Sequence, residues 1–261
     1  MPINFNSRPG LVVYLTAGDP DLATTRAIAL AAIDAGADVL ELGVPFSDPL
    51  ADGPVIQRAS ERAVAQGTRL VDVLDLARDL RAARPACGLV IFSYLNPVLR
   101  LGMKNFCERA AAAGVDGVLL TDMIVEEAEE YLALMRASKL APIFLVAPTS
   151  PDDRLKRIAA ATKGFIYAIS RVGITGTQSS LATDASELVR RLRQFTQLPI
   201  AVGFGISNAE HVAAVGGFAD AAIIGSAIVA LIEQSTPAQA PAAVADFIAS
   251  LALRRQEEQR V

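Results

Sequence analysis

Short apolar runs alternate with longer amphipathic segments from one end of the chain to the other. The short runs are rich in Val, Ile and Leu, which favours buried strands. Eight candidate strands lie at residues 11–16, 38–42, 89–93, 116–120, 142–146, 164–169, 199–203 and 221–225. The segments between them carry apolar residues at helical spacing. These predicted helices cover 21–35, 55–65, 69–83, 103–113, 125–138, 151–161, 184–195, 207–216, 226–234 and 239–255.

The alternation predicts an α/β protein, a (β/α)8 TIM barrel formed by a single domain over residues 1–261. Strand–helix–strand units require parallel strands, and 261 residues suit one such barrel. An open doubly wound sheet is the competing fold, but no GxGxxG motif follows the first strand. The polar tail from about residue 254 is expected to be frayed.

Composition narrows the class of protein. A net charge of -4 and a pI near 5.2 disfavour a nucleic-acid interface. No apolar run approaches about 18 residues and no signal pattern is found, so we expect a cytoplasmic protein that contacts no membrane. Cys87 and Cys107 show no CxxC spacing and are expected to be reduced thiols.

Two carboxylates stand out between residues 38 and 58. Glu41 interrupts an apolar strand, where a charge costs several kcal/mol unless it is paired or used. Apolar neighbours should raise its pKa toward neutrality, which suits proton transfer in both directions. Pairing with an arginine is the structural alternative. Asp52 follows in a loop of Gly, Pro and Asp, where it could equally serve a turn or a helix cap.

The residues needed for catalysis by a serine triad, a zinc ion or a Schiff base are missing or misplaced. His211 is the only histidine and lies in a helical pattern, so neither a Ser-His-Asp triad nor a histidine-rich zinc site is expected. The four lysines fall in predicted helices or just before a strand, on the wrong side of the barrel for a Schiff base: Lys104, Lys139, Lys156 and Lys163. Metal-free acid/base chemistry by carboxylates remains.

Glycine-rich loops follow the last three predicted strands, at 173–176 (GITG), 203–207 (GFGIS) and 225–226 (GS). Glycines let backbone N–H groups approach an anion, and the last loop opens a helix whose N-terminal end favours negative charge. Together the loops predict a phosphate site, although each alone is also common at strand ends. The loop 170–183 has the composition of a closing lid, or of a flexible connection.

The segment LELGVPFSDPLADGP (40–54) resembles the signature of the tryptophan synthase α subunit family. Five further segments are similar to that family's motifs in the same order: TAGDP (16–20), YLNPVLRLG (94–102), SRVGITG (170–176), VGFGIS (202–207) and GSAIV (225–229). The resemblance implies a (β/α)8 barrel that cleaves indole-3-glycerol phosphate to indole and glyceraldehyde 3-phosphate, in tryptophan biosynthesis.

The resemblance also implies the roles of individual residues. Glu41 would be the acid/base catalyst and Asp52 would orient the indole. The substrate would be bound by residues of three groups: Tyr14, Phe92, Tyr94 and Tyr167 around the indole; Thr175 in the lid; and Gly176, Gly205, Gly225 and Ser226 at the phosphate.

The implied assembly is an α₂β₂ heterotetramer. This chain would need no cofactor, and pyridoxal phosphate would be bound only by the β subunit. In the family, the loop around Asp48 and the turn after the fourth strand face that subunit. Here Met123, Ile124 and Val125 follow Asp122, where the family usually has leucine and proline. This departure motivates one alternative, a stand-alone lyase that releases free indole. A second alternative is a weakly catalytic subunit that chiefly activates a partner, and the presence of Glu41 and Asp52 argues against it.

Overall fold

The computed structural model describes residues 3, 5, 7–169, 178–203 and 205–258, apart from the side chains of 178–183 and 252–258. Within them, nine parallel strands form one nearly closed barrel, so the predicted TIM-barrel fold is confirmed. The strands are β1 (Gly10–Thr16), β2 (Val39–Gly43), β3 (Gly88–Ser93), β4 (Gly117–Leu120), β5 (Ala141–Ile143), β6 (Leu145–Val146), β7 (Ile166–Ile169), β8 (Ile200–Gly203) and β9 (Ala221–Ile224).

Helices surround the barrel. They are α1 (Leu22–Asp34), α2 (Pro54–Ala65), α3 (Leu70–Ala83), α4 (Leu95–Leu101), α5 (Met103–Ala112), α6 (Glu129–Ala137), α7 (Asp152–Ala161), α8 (Gln178–Leu192), α9 (Ala209–Gly216), α10 (Ser226–Glu233) and α11 (Ala240–Glu258), with a 3₁₀ turn at Val125–Glu127. No helix in the described part of the chain is both long and apolar enough to cross a bilayer.

The predicted fifth strand is divided into β5 and β6 by Phe144. The strand order is β5-β4-β3-β2-β1-β9-β8-β7-β6, so β5 pairs with β4 while β6 pairs with β7. The carbonyl of Phe144 accepts a hydrogen bond of 3.2 Å from the N–H of Tyr167. The two edges of the sheet are therefore consecutive parts of one short segment, and eight passages of the chain close the barrel.

Side chains alternate between the barrel interior and the helices, as the two-residue period of a strand requires. Val12, Val39, Val90 and Leu119 belong to one buried cluster inside the barrel. Ile3 joins this cluster near the N-terminal ends of the strands. A larger cluster packs the other face of the strands against the helices. Both faces of the sheet are buried, which explains why the strands are apolar almost throughout.

Three aspartates stand at the N-terminal end of the barrel, each directly before β2, β4 or β9. Each carboxylate accepts a hydrogen bond from a backbone N–H at or next to the start of a neighbouring strand: Asp38 from Leu11 (2.8 Å), Asp116 from Leu89 (2.9 Å) and Asp220 from Ile200 (2.8 Å). Asp116 also forms an ion pair with Arg81, and Asp220 forms one with Arg193. We call Asp38, Asp116 and Asp220 the lower aspartates.

The helix α4 was not among the predicted elements. Its first N–H, at Leu95, donates a 2.7 Å hydrogen bond to the carboxylate of Asp122, which follows the neighbouring strand β4. A helix capped from another loop has no local sequence signal of its own, because the cap lies 27 residues away.

Candidate active site

Glu41 lies in the middle of β2, opposite Tyr14 of β1 and Val90 of β3. Its neighbours at the two-residue period, Val39 and Gly43, also face the barrel interior. The side chain is completely buried. It is level with Tyr14 in the C-terminal half of β1, and TIM barrels place their reacting groups toward that end of the barrel.

The Glu41 carboxyl group makes no hydrogen bond to the described residues. Neither oxygen has a hydrogen-bond partner among the described residues, which argues against the structural alternative of an arginine pair. Burial raises the pKa of Glu41 to about 8, because the charged form loses its hydration without compensation. At pH 7 the group is therefore mostly protonated, and little free energy separates its two states.

Asp52 lies in the loop between β2 and α2. Tyr94, which directly follows β3, forms hydrogen bonds to that loop. The Tyr94 hydroxyl donates to Asp52 Oδ2 at 3.0 Å and accepts from the N–H of Ala51 at 2.9 Å. Phe46 packs on the Tyr94 ring, with 5.3 Å between centroids. Burial raises the pKa of Asp52 to about 6, and the Tyr94 hydrogen bond opposes that rise. Asp52 is therefore ionised at pH 7.

Aromatic side chains line the space around Glu41. The ring of Tyr14 meets Phe92 edge-on, with centroids 5.2 Å apart. Burial raises the pKa values of the Tyr14 and Tyr167 hydroxyls, and both carboxylates, Glu41 and Asp52, raise them further by repulsion. Since such effects require proximity, the structure gathers the two carboxylates and the two tyrosines around one space.

Two glycines that the sequence reasoning did not single out make room for these tyrosines. A Cβ atom at Gly43 would lie 2.2 Å from the Tyr14 hydroxyl oxygen, and one at Gly203 would lie 2.8 Å from that of Tyr167. Any side chain at either position would therefore displace a tyrosine. For Gly43 the sequence did hold a signal: it lies two residues after Glu41 and so faces the barrel interior, where a residue without a side chain leaves room for another group.

The predicted phosphate residues are described only in part. Gly205 follows β8, and Gly225 directly follows β9 and precedes Ser226, the first residue of α10. Because β8 and β9 are paired, these loops are neighbours at the same end of the barrel. Gly205 has a φ of +71°, which favours glycine, and open space beside it. Thr175 and Gly176, and with them most of the predicted lid, lie outside the described residues.

The residues excluded from chemistry lie where the sequence predicted. His211 is in α9 and its Nδ1 accepts from the N–H of Ser207 at 3.4 Å. Lys104 and Lys156 lie in helices, while Lys139 and Lys163 shortly precede β5 and β7 at the N-terminal end of the barrel. Throughout the described residues there is no group of three or more His, Cys, Asp or Glu side chains that could hold a metal ion.

Comparison with known proteins decides the family. The family model described as "Tryptophan synthase alpha chain" matches residues 3–257. This chain belongs to the tryptophan synthase alpha chain family. The chain is accordingly a carbon–carbon lyase that cleaves indole-3-glycerol phosphate, so the predicted activity is confirmed and the alternatives to it gain no support.

Individual relatives are similar over almost their whole length. The tryptophan synthase alpha chain of Solibacter usitatus is 50% identical over 90% of this chain and 87% of its own. That of Neisseria meningitidis is 48% identical over 89% of each chain. Among solved structures, a chain of the tryptophan synthase complex from Pyrococcus furiosus superimposes with a TM-score of 0.85 at 35% identity, covering 94% of this chain and 98% of that one.

Proposed function

We propose that Glu41 is the single proton carrier of the lyase reaction. The observation that supports this role is a completely buried carboxyl group that has no hydrogen-bond partner among the described residues and whose pKa is raised to about 8. In its protonated resting form, Glu41 delivers a proton to the indole carbon that bears the side chain. The ring nitrogen then carries a positive charge.

The carboxylate left on Glu41 completes the cleavage. It takes the proton of the hydroxyl group next to the ring as the carbon–carbon bond breaks. The electron pair of that bond returns to the indole ring, and the hydroxyl becomes the aldehyde of glyceraldehyde 3-phosphate. Glu41 regains the proton it gave, so the step needs no net acid or base. General acid/base assistance of this kind contributes about 10²–10⁴-fold.

Asp52 stabilises the charge that develops on the indole nitrogen. Its pKa of about 6 keeps it ionised at neutral pH, and the Tyr94 hydroxyl and the Ala51 N–H restrain its position. Tyr14, Phe92, Tyr94 and Tyr167 line the indole side. Gly176, Gly205, Gly225 and Ser226 bind the phosphate, where the N-terminal end of α10 favours an anion, and Thr175 acts in the lid.

The decisive experiment measures indole release from indole-3-glycerol phosphate by wild type, Glu41→Gln and Asp52→Asn. We expect Glu41→Gln to abolish measurable release and Asp52→Asn to lower kcat by at least 10²-fold. We also expect kcat/KM to fall above pH 8, as Glu41 loses its proton, and below pH 6, as Asp52 gains one. Residual activity of Glu41→Gln near that of wild type would overturn the assignment.

A β-type subunit is the proposed partner, bound at the C-terminal end of the barrel in an α₂β₂ assembly. Three exposed apolar side chains support this surface: Leu50 (92% exposed), Leu99 (53%) and Ile124 (41%). They follow β2, β3 and β4, which are neighbouring strands. Ile124 keeps an apolar side chain in the turn that departs from the family pattern. Their shared position at one end of the barrel, after three neighbouring strands, is what supports an interaction surface there.

The surface is tested by titrating the chain with the β subunit of a tryptophan synthase. Leu50→Asp should weaken association at least tenfold, whereas Val64→Asp, an equally polar change at an exposed apolar residue on α2, should not. Equal affinities would place the contact elsewhere. A wild type that cleaves its substrate but never associates would favour the stand-alone lyase.

The proposal includes no cofactor on this chain and assigns pyridoxal phosphate to the partner. It also includes a cytoplasmic location. Cys87 and Cys107 are free and buried, and burial raises their thiol pKa values to about 12 and about 11. Such thiols are inert at neutral pH, as expected for packing residues in a reducing compartment.

A further inference from the structure

The segment TAGDP (16–20) has so far received no role. Its aspartate, Asp19, follows β1 and is only 3% exposed. Both carboxylate oxygens accept hydrogen bonds of 2.8 Å from Arg62 of α2, one from Nε and one from Nη2. This two-point geometry fixes both the distance and the orientation of the two groups, which a single contact would not do.

The ion pair continues to a third element. The remaining nitrogen of Arg62, Nη1, donates to Glu233 Oε1 at 2.7 Å, at the end of α10. Glu233 also accepts two hydrogen bonds from Arg58, of 2.9 Å from Nε and 2.7 Å from Nη2. Asp19, Arg62, Glu233 and Arg58 thus form one chain of charges. We call these four residues the α2–α10 clasp.

An apolar contact lies between the same elements. Ala59 of α2 and Val229 of α10 are buried in a cluster with Tyr14, the tyrosine opposite Glu41. The loop after β1 also abuts the end of α2, because a Cβ at Gly18 would lie 2.1 Å from the Thr68 hydroxyl oxygen. The clasp therefore lies beside a packed contact between α2, α10 and the loop after β1, and does not merely connect distant surface residues.

The two clasped helices begin at opposite halves of the proposed substrate site. Helix α2 starts at Pro54, two residues after Asp52, and Gln57 Nε2 of its first turns donates to the Asp52 carbonyl at 2.9 Å. Helix α10 starts at Ser226, in the proposed phosphate site. The position of α2 relative to α10 thus sets the position of Asp52 relative to the phosphate-binding end.

We propose that Asp19 and Arg62 are positioning residues that hold the indole-orienting half of the site at the correct distance from the phosphate-binding half. This inference rests on the proposed function of Asp52 and Ser226. Neither Asp19 nor Arg62 contacts the reacting atoms. Their effect arises because a substrate anchored at both ends reacts only when the two anchors match its length, and a misplacement of about 1 Å can cost about 10²-fold in rate.

The test separates the two halves of the substrate. Indole and glyceraldehyde 3-phosphate are used one at a time as inhibitors, and indole-3-glycerol phosphate as substrate, with wild type, Asp19→Asn and Arg62→Lys. Asp19→Asn keeps the size of the side chain but removes its charge. Arg62→Lys keeps the charge but cannot reach both carboxylates in the same geometry. We expect kcat to fall about 10-fold or more in both variants, and the inhibition constant of each separate half to change less than twofold.

A matched control removes an ion pair of the same geometry from another place. Arg84 contacts both oxygens of Asp34 at 2.7 Å, between α3 and α1. Asp34→Asn should leave kcat, KM and both inhibition constants unchanged. A purely structural role for the clasp would predict the same result for Asp19→Asn, with a lower thermal midpoint as its only effect.

The outcomes distinguish this inference from the proposed function. Unchanged kcat and KM in a folded Asp19→Asn, with an active wild type, overturn the positioning role alone. Equal weakening of both separate halves also overturns it, because the clasp would then shape each half-site directly. A wild type no more active than Glu41→Gln overturns the proposed function of Glu41 instead, whatever the Asp19 variant does.

Discussion

The barrel surrounds the lower aspartates and Glu41 in opposite ways. At the N-terminal end, the lower aspartates each accept a backbone hydrogen bond, and Asp116 and Asp220 also pair with arginines. Toward the C-terminal end, Glu41 is completely buried and has no hydrogen-bond partner among the described residues. The fold thus supplies hydrogen-bond donors to the lower aspartates and, among the described residues, none to Glu41.

The difference shows that burial alone does not decide what a charged residue does. A carboxylate that receives N–H groups is stabilised in its ionised form and fastens the strands that supply them. A carboxyl group that receives none keeps its proton to higher pH and can exchange it near neutrality. We therefore expect the lower aspartates to contribute to the stability of the barrel, and Glu41 to lower it while carrying the protons of the proposed reaction.

Glu41→Gln gives the largest expected effect and the sharpest test of the comparison. We expect kcat to fall by at least about 10³-fold, because both proton transfers pass through this one group. Chemical unfolding at pH 8 should show that the variant is at least as stable as wild type, since it no longer buries an ionisable group. A variant that lost both activity and stability would place Glu41 in the same class as the lower aspartates.

The pH dependence of stability gives the next largest effect. The folded-state pKa of Glu41 is about 8, above its usual value of 4.5, so between these values the folded protein binds more protons than the unfolded chain. Its stability must therefore fall as pH rises through that range. From pH 5 to pH 8 the fall due to Glu41 amounts to roughly 4 kcal/mol. Urea unfolding across this range should show a steeper fall in wild type than in Glu41→Gln, because the variant keeps only the smaller contribution of Asp52 below about pH 6.

Asp116→Asn tests the other end of the barrel. Asp116 accepts a hydrogen bond from the Leu89 N–H and forms an ion pair with Arg81, whose side chain is mostly buried. Removing the carboxylate should lower the free energy of unfolding by about 3 kcal/mol, because it leaves a buried cation short of its partner. The kcat of the folded fraction should not change. A tenfold loss of kcat in a fully folded variant would contradict the division of roles between the lower aspartates and Glu41.

Tyr94→Phe gives the smallest expected effect. Loss of the hydroxyl that donates to Asp52 removes a contact that favours the ionised carboxylate, so the pKa of Asp52 should rise above about 6. The acid limb of the kcat/KM profile should then move upward by about one pH unit, or ~1.4 kcal/mol. The alkaline limb, which depends on Glu41, should not move. A profile shifted on both sides would show that Tyr94 acts on the whole site.

The sequence predicted the barrel and its central carboxylate because their signals are local. An apolar run and a segment of helical spacing recur in each strand–helix unit, and Glu41 interrupts one of those runs. The division of the fifth strand at Phe144 had no such signal. It arises because β5 pairs with β4 and β6 pairs with β7, which depends on the neighbouring strands and not on the local residues. The same holds for helix α4, whose cap is Asp122.

The supporting residues of the site were missed for the same reason. Asp19 and Glu233 meet through Arg62 although they lie more than 200 positions apart along the chain. Tyr94 was expected beside the indole, yet its two hydrogen bonds to the Asp52 loop follow from three-dimensional placement alone. The role of a single residue can be predicted from a sequence pattern, whereas a role that depends on two distant residues can be seen only once the structure shows their contact.

The absent side chains at Gly43 and Gly203 have a consequence for how this barrel can change over evolutionary time. Each glycine and its tyrosine, Tyr14 or Tyr167, share one volume inside the barrel. Enlarging the glycine is tolerated only if the tyrosine becomes smaller in the same lineage. Positions 14 and 43 should therefore covary among relatives, as should 167 and 203, with residue size moving in opposite directions within each pair.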